Sequence, residues 1–431
     1  MKNLIKYFSI VLVVLLGLQT QAQEREDRDL DNFRYRDQRG LNQFEAPKDS
    51  ISNYDGVHVR VGGQSSIQFQ ALDHENSRLF RNPAGELVPL IPIGDNFNLP
   101  TANLDLDVVL YDGVRMHLRT YLSSRHHPEP YVKGGYIQID KLNFISEGFM
   151  EDFMNNFRIK IGHMENNYGD AHFRRSDNAQ GIYNPFVENL IMDSFTTEVG
   201  AELYYFNSGF LAMGSITNGK LNQGVNNPET TSPSFIGKLG WDGMVTEDVR
   251  FRLTGSVYHT NKSANAYLYS ADRAGSRYYF VMEPTGATAS AQFSSGRFNP
   301  GLRNELTSFM VNPFVKLGGL EFFGTYERAS GKAAAETDTR SFNQYAGELI
   351  YRFGNNENFY FGGRYNMVDG TLQGGREVDI TRFNLAGGWF MTKNILAKVE
   401  YVNQEYNNFA TTDIRNEGKF NGVTVEAVIS F

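Results

Sequence analysis

The polar side chains between residues 163 and 195 form the densest group that could do chemistry. His163, Glu165, Asp170 and His172 follow one another closely, and imidazole nitrogens together with carboxylate oxygens can ligate a divalent cation. Spacing of this kind arises often by chance, so we expect no metal site. The sequence contains no Gly-rich phosphate-binding loop, HExxH motif or calcium-binding loop, and we predict no bound cofactor.

Catalysis would need a nucleophile beside a base, and the sequence offers little support for one. A hydrolase needs Ser or Asp with a His nearby, but the His residues are scattered, with His126 and His127 in one short loop. The chain has no Cys, which excludes disulfides, thiolate metal sites and a Cys nucleophile. No array of basic and aromatic residues suggests nucleic-acid binding. We predict no catalytic residues, no enzyme and no nucleic-acid partner.

The elements that must position the polar side chains are β-strands. In the last segment, Lys419 to Phe431, Val423 and Val425 fall on one face, and Thr424 and Glu426 fall on the other. This alternation is typical of a strand with one apolar and one wetter face. It recurs along the chain and gives sixteen candidate strands between residue 57 and residue 431.

The connections between these candidate strands alternate between short and long. Short connections fall at residues 207–209, 243–248, 318–319, 355–358 and 392–394, and long ones at 165–195, 219–232, 261–304, 330–341 and 369–378. A medium link, 142–155, interrupts the pattern with the helix-like sequence FMEDFMNN. Loops sorted in this way are typical of transmembrane barrels, and in lipid every backbone amide must be paired, so the sheet must close. We predict an all-β fold: a transmembrane antiparallel up-and-down β-barrel of about sixteen strands, with short periplasmic turns and long extracellular loops.

The N-terminus predicts export. Lys2 and Lys6 precede an apolar run from Ile10 to Leu18, and the chain turns polar at Gln23. This is the pattern of a secretory signal peptide, which we place at residues 1–22. Removing Lys2 and Lys6 would change the formal charge from −8 to −10.

Residues 23–56 are polar and charged and carry too little apolar surface to form a core. We predict that this segment is a flexible periplasmic N-terminal arm, solvated by water. The alternative is that Phe33 and Tyr35 dock the arm onto another surface. The barrel itself is predicted to occupy residues 57–431.

The inward-facing positions of the predicted strands lean basic, although the whole chain is acidic. Sixteen strands leave a lumen too wide for wall side chains to fill, which indicates a channel. A basic lining concentrates anions and would give a weak anion preference; equally, carboxylates on neighbouring strands could pair with these cations and cancel it. The predicted pore-lining cations are Arg60, Arg115, Arg119, Arg158, Lys160, Arg250, Arg252, Arg352, Arg364 and Arg382.

The terminal strand resembles the C-terminal signature of bacterial outer-membrane β-barrels, in which a last strand ending in Phe closes against the first. From residue 57 to residue 431 the architecture resembles the porins of Gram-negative outer membranes. FRIKIGHMENNYGD, from Phe157 to Asp170, is similar to the strand and loop entry of the phosphate-selective (O/P-type) group of porins.

This resemblance implies that residues 165–195 fold into the lumen as a constriction loop; the alternative is an outward loop solvated by water. The resemblance also implies outer-membrane lipid and lipopolysaccharide around the barrel, and a homotrimer or a larger envelope complex as the assembly. The charged residues that the loop would bring to the constriction are Glu165, Asp170, His172, Arg174, Arg175 and Asp177.

Together these observations predict a passive outer-membrane channel for small hydrophilic solutes, with a weak preference for phosphate-like anions. The alternative is a barrel subunit of a larger export, assembly or uptake complex, in which the arm and the loop at 261–304 would be docking surfaces. An outer-membrane hydrolase is the third and weakest alternative.

Overall fold

The computed structural model describes residues 30–49, 52, 54–77, 81, 85–125, 130–219, 221 and 232–431. The predicted signal peptide and the His126–His127 pair lie outside these residues. The described chain forms sixteen strands: β1 His58–Glu75, β2 Asn96–Tyr111, β3 Val114–Leu122, β4 Tyr131–Ile139, β5 Phe157–Glu165, β6 Thr197–Asn207, β7 Phe210–Thr217, β8 Ser234–Met244, β9 Val249–Thr260, β10 Glu305–Leu317, β11 Leu320–Lys332, β12 Arg340–Phe353, β13 Phe359–Thr371, β14 Glu377–Thr392, β15 Ile395–Asn407 and β16 Lys419–Ser430.

In the described part of the chain, helical structure is confined to short pieces. A single α-helical turn, α1, covers Glu151–Met154 within the predicted helix-like link, and 3₁₀ turns cover Gln38–Gly40, Ala171–Arg174 and Asn355–Glu357. Among the described residues, no helix has the length and apolar character needed to cross a membrane.

Every strand pairs antiparallel with its neighbours in sequence, and β16 pairs with β1 to close the barrel. Gln64 lies opposite Ser430, and Phe431 exchanges two backbone hydrogen bonds with Gly63, at 3.0 and 3.1 Å. The predicted closed sixteen-stranded antiparallel barrel is therefore confirmed, and closure leaves no unpaired sheet edge.

The short connections are tight because their sequences permit left-handed backbone. Between β6 and β7, Ser208 has φ 50° and Gly209 has φ 83°, as a two-residue hairpin turn of type I′ requires. The strand ends that the long connections join lie at the other end of the barrel. The two ends are called the short-turn mouth and the long-loop mouth below.

The alternation along each strand separates an apolar outside from a polar inside. Leu239 and Phe361 are 68% and 59% exposed on the outer face, whereas Gln64 and Glu400 on the inner face are 1% and 0% exposed. This inversion of an ordinary soluble core is the arrangement that lipid requires of a spanning barrel.

Aromatic side chains cluster on the outer face near the short-turn mouth. Tyr351, Phe353, Phe359 and Trp389 stack in sequence across β12, β13 and β14, with ring centroids 5.7 to 6.0 Å apart. Such girdles sit at the membrane–water interface.

Two aromatic residues near strand ends do not join the girdle. Their place near strand ends suggests girdle positions for Tyr121 and Tyr258, but both are buried inside. Strand alternation explains this, because Tyr121 shares the inward face of Arg119 and Tyr258 shares that of Thr254. Tyr258 is a hydrogen-bond partner of Glu198 and Ser234 inside the barrel.

Candidate permeation path

The predicted pore-lining cations lie on the strands in positions that face the barrel interior, and most of them pair with carboxylates. Arg382 is different, because it donates to Gln404 and to the carbonyl oxygens of Asn189 and Gly296. Arg60 lies with its guanidinium 5.1 Å from the Phe33 ring. The wall ion pairs are Arg115–Asp107 (2.8 Å), Arg119–Asp105 (2.5 Å), Arg158–Asp140 (2.8 Å), Lys160–Glu202 (3.7 Å), Arg250–Asp242 (2.7 Å), Arg352–Glu321 (2.8 Å) and Arg364–Glu348 (2.8 Å).

This pairing has a direct electrostatic consequence. Each of these carboxylates lies next to its cation, on the inner face of a neighbouring strand or, for Asp140, just after β4. Much of the positive charge of the wall is therefore neutralised locally. The wall cations alone therefore do not make the lumen basic, and the charge of any passage depends on what else lines it.

The loop at 165–195, called inner loop 1, lies inside the barrel and bonds to the wall. Its backbone amides at Val187, Ile191 and Met192 donate to Glu400, Asn366 and Gln344, at 2.7 to 2.9 Å. Ile182, Phe186, Val187, Ile191 and Met192 are all fully buried. An outward loop would expose these apolar side chains to water, which explains why the segment folds inward.

The charged residues of inner loop 1 each find an opposite partner. Arg174 pairs with Glu348 at 3.2 Å, Arg175 pairs with Asp177 and Asp193, and His172 pairs with Glu165. Asp170 bonds Arg252 and Lys238 on β9 and β8, at 2.9 and 2.7 Å. Burial alone would raise the pKa of Asp170, but Arg252 and Lys238 outweigh it and hold the pKa well below its usual value.

The four residues considered for a metal site do not come together. His163 bonds Thr197, His172 bonds Glu165 and Asn167, and Asp170 bonds cations. Among the described residues, no group of three or more His, Asp or Glu side chains is arranged to hold a metal ion.

A second long segment, residues 261–304 between β9 and β10, also enters the lumen and is called inner loop 2. Its Arg277 pairs with Glu426 at 3.0 Å, and Tyr278 donates to Glu400 at 2.6 Å. It packs on inner loop 1, because Arg297 pairs with Glu188 at 2.7 Å and the amide of Phe298 donates to Ile191 at 2.8 Å. Sequence analysis predicted no inward position for this segment.

Residues 30–49, called the N-terminal arm, are not a flexible segment in the periplasm: they lie in the short-turn mouth and are largely buried. Phe44 packs between the rings of Phe173 and Phe314, with centroids 6.0 and 5.5 Å away. Glu45 pairs with Lys238 and Arg252 at 2.9 and 2.8 Å. The expectation of a solvated arm was wrong for these residues, because the polar wall supplies partners for charges that composition alone assigns to water.

Burial and charge act against each other at Glu45. Burial alone would raise the pKa of Glu45, but the nearby Arg252 and Lys238 outweigh it and lower the pKa to about 2. Glu45 therefore stays ionised across the physiological pH range and keeps its two ion pairs.

Two adjoining cavities remain along one side of the lumen, against the wall formed by β3, β4, β5 and β6. The larger, of about 120 Å³, lies toward the short-turn mouth between this wall and the N-terminal arm. The smaller, of about 90 Å³, lies toward the long-loop mouth against inner loop 2. Lys133 and His163 line both, so one cavity follows the other along the wall.

The larger cavity presents more positive than negative charge. Its described lining includes seven Lys or Arg side chains, Arg34, Arg36, Arg115, Arg119, Lys133, Arg158 and Lys160, against Glu45 and Glu165. Six of these cations pair with carboxylates that do not line the cavity, namely Asp105, Asp107, Asp140, Glu202 and Asp272. Two of the seven cations, Arg34 and Arg36, come from the N-terminal arm.

Sequence reasoning missed the contribution of the arm to this lining. The signal that could have found it is the alternation of aromatic and basic residues in FRYR, residues 33–36. Aromatic rings and guanidinium groups stack on one another when desolvated, and here Arg34 lies 3.6 Å over the ring of Tyr183. The docking alternative for Phe33 and Tyr35 pointed to the same residues.

No protein-family model matches this chain, and no curated protein matches it. Among solved structures, it is similar to the outer membrane channel DcaP of Acinetobacter baumannii, with a TM-score of 0.54, 11% identity, and 88% of this chain and 99% of that chain covered. It is also similar to an anion-selective porin from Comamonas acidovorans, with a TM-score of 0.53, 10% identity, and 87% and 100% covered. A loop L8 deletion mutant of OmpT, an outer membrane protein of Vibrio cholerae, aligns with a TM-score of 0.51, 11% identity, and 88% and 100% covered. At these identities the likeness establishes the fold: the chain has the closed barrel of outer-membrane β-barrel proteins and porins.

Proposed function

We propose that this protein is an outer-membrane porin, a passive diffusion channel for small hydrophilic solutes. The observation that carries this proposal is the pair of adjoining cavities along the wall of β3 to β6, inside a closed barrel with an apolar outer face. A solute would pass along this wall rather than down the barrel axis, because the inner loops and the arm occupy the rest of the lumen. Outer-membrane lipid and lipopolysaccharide would contact the outer face.

We further propose a weak preference for anions, including phosphate-like ones. The cations that line the larger cavity outnumber the carboxylates that line it, and fixed positive charge beside a narrow aqueous passage raises the local concentration of anions. The anion-selective porin from Comamonas acidovorans has the same barrel fold. Its selectivity is a property of that protein and is a precedent for anion selectivity in this fold.

A planar bilayer recording with a potassium chloride gradient tests both parts. We expect the full chain to conduct, with a reversal potential of the anion-selective sign. Lys160, whose side chain is 21% exposed, lines the larger cavity, so Lys160→Gln should move the reversal potential toward cations. Lys316, with 26% exposure, lies outside this cavity, and Lys316→Gln is the matched control. A silent full chain would refute the channel, and a cation-selective one would refute the preference.

The packed lumen favours a second candidate, a barrel subunit of a larger envelope complex. Inner loop 1, inner loop 2 and the N-terminal arm all bond to the inner wall, and a subunit whose barrel serves as a scaffold would need no open path. Purification in detergent separates the two candidates: partners that co-purify with a non-conducting barrel support the subunit, and a pure, conducting barrel supports the channel.

A further inference from the structure

The N-terminal arm contacts strands all round the short-turn mouth. Its backbone amide at Gln38 donates to the carbonyl oxygen of Lys393, in the turn between β14 and β15, at 2.8 Å. The Gln38 side chain donates at 2.7 Å to Asn356, in the link between β12 and β13. Lys48 pairs with Asp140, just after β4, at 3.3 Å. A segment that reaches these positions must cross the mouth rather than follow its rim.

The arm is also held from within the lumen. The Arg34 guanidinium donates to the carbonyl oxygen of Phe173 on inner loop 1 at 3.2 Å, and the Tyr183 hydroxyl of the same loop donates to the Tyr35 carbonyl oxygen. Arg158 on β5 donates to the carbonyl oxygens of Ala46 and Pro47, at 2.7 and 2.6 Å. Polar contacts with both the wall and an inner loop fix the arm at one depth.

The larger cavity lies beside the arm at the short-turn mouth. Phe33, Arg34, Arg36 and Phe44 form the face of that cavity opposite the wall. The arm therefore narrows the mouth and supplies part of the lining of the remaining space.

We propose that the N-terminal arm is a built-in plug that stays seated in the short-turn mouth and restricts passage to the path along β3 to β6. This inference rests on the proposed channel function, which it deepens by naming the segment that sets the width at this end. The arm acts by occupying the mouth and by placing Arg34 and Arg36 beside the path.

The test is a deletion of residues 30–49 from the full chain, compared with the unaltered chain in planar bilayers. We expect several-fold higher single-channel conductance after the deletion, because the mouth would then open across its whole width. A synthetic peptide with the sequence of residues 30–49, added from the short-turn side, should lower the conductance again, and a scrambled peptide should not. Equal conductance with and without the arm would overturn the proposal.

A point variant keeps the test valid if the deleted chain does not fold. Phe44→Ala removes the ring that packs on Phe173 and Phe314 and should raise both the conductance and its fluctuations. Phe153, on α1, is an exposed ring that stacks on Phe157, and Phe153→Ala is the matched control. Identical traces for Phe44→Ala and the unaltered chain would overturn the proposal.

The two proposals fail in different ways. The channel function is judged on the unaltered chain alone, which must conduct. The plug is judged on the difference in conductance between the unaltered chain and the chain without the arm. A silent full chain with a conducting deletion would refute the passive channel and the open path along β3 to β6, whereas a conducting full chain with an equally conducting deletion would refute the plug alone.

Discussion

Gly40 shows how closely the N-terminal arm fits its place. A Cβ atom at this position would lie 2.2 Å from the carbonyl oxygen of Tyr35 and 2.8 Å from a ring carbon of Tyr183. Overpacking of this kind costs roughly 1–3 kcal/mol. Here it would act within the arm, at Tyr35, and on the contact of the arm with inner loop 1, at Tyr183. The nearest atoms belong to the arm and to inner loop 1, and not to the strands. A substitution at Gly40 therefore tests how the arm is seated without acting directly on the barrel.

We therefore expect Gly40→Ala to loosen the arm without unfolding the strands. Trypsin cleavage after Arg34 and Arg36, measured on folded protein in detergent, should be slow in the unaltered chain and faster in the variant. Gly214, where no atom lies within 4 Å of an added Cβ, provides the control variant Gly214→Ala. Equally fast cleavage of all three proteins would contradict the seated arm.

A second residue-scale prediction concerns Glu283 on inner loop 2. Burial raises the pKa of Glu283 to about 7, and this effect exceeds the opposing influence of Arg125 and Arg415. Between the usual carboxyl pKa and about 7, the folded state binds more protons than the unfolded state, so this group makes stability fall as pH rises through that window.

We expect Glu283→Gln to flatten the pH dependence of the thermal unfolding temperature over this window. Circular dichroism between pH 4.5 and pH 7 measures it, with the exposed Glu377→Gln variant as the control. An unaltered pH dependence in Glu283→Gln would show that this carboxyl group is not titrating as its burial predicts.

At the scale of elements, the two inner loops and the arm determine how much of the lumen is open. Inner loop 1 is central, because it contacts the wall, inner loop 2 and the arm. Its buried apolar residues and its ion pairs with Arg252 and Glu348 hold it across the lumen. We propose that it is the constriction of the channel.

Deleting residues 170–189 should accordingly enlarge the single-channel conductance. We expect the increase because the deletion removes the segment that fills the middle of the lumen. It should be seen as a higher current through each open channel, and not as more frequent openings. Deleting residues 333–339, in the link between β11 and β12, is the control, because most of that loop is exposed. The same conductance in both deletion variants would contradict the constriction.

For the molecule as a whole, the apolar outer face determines in which environment the protein is stable. Apolar side chains face outward on strands around the barrel, and contiguous apolar surface of this extent is unstable in water. We expect the mature chain to need detergent to stay dispersed, with a far-UV circular dichroism spectrum dominated by strand. A dispersed monomer in plain buffer, or a mostly helical spectrum, would contradict this.

The homotrimer that the porin resemblance implies stays a prediction, which native mass spectrometry in detergent would check.

Sequence reasoning could predict the wall and, through the porin resemblance, an inward loop at residues 165–195, but not the inward positions of the N-terminal arm and inner loop 2. Alternation such as that of Val423, Thr424 and Val425 is local and regular, so the strands, their number and the closure by Phe431 follow from it. The filling depends on contacts between residues far apart in sequence. Glu45 and Arg34 have the composition of a solvated arm, and only the folded wall brings Lys238 and Arg252 to meet Glu45. Sequence analysis left two alternatives for the wall cations, a net basic lining or pairing with carboxylates on neighbouring strands.

In the proposed channel, solutes cross the barrel through the cavity along β3 to β6. Because the chain has no Cys, Lys160→Cys places a single thiol at the lining of that cavity, and a bulky charged thiol reagent can be added during a bilayer recording. We expect the conductance to fall when the Lys160→Cys channel is modified and to stay constant for Lys316→Cys, which lies outside the cavity. A current through Lys160→Cys that does not change on complete modification would contradict it.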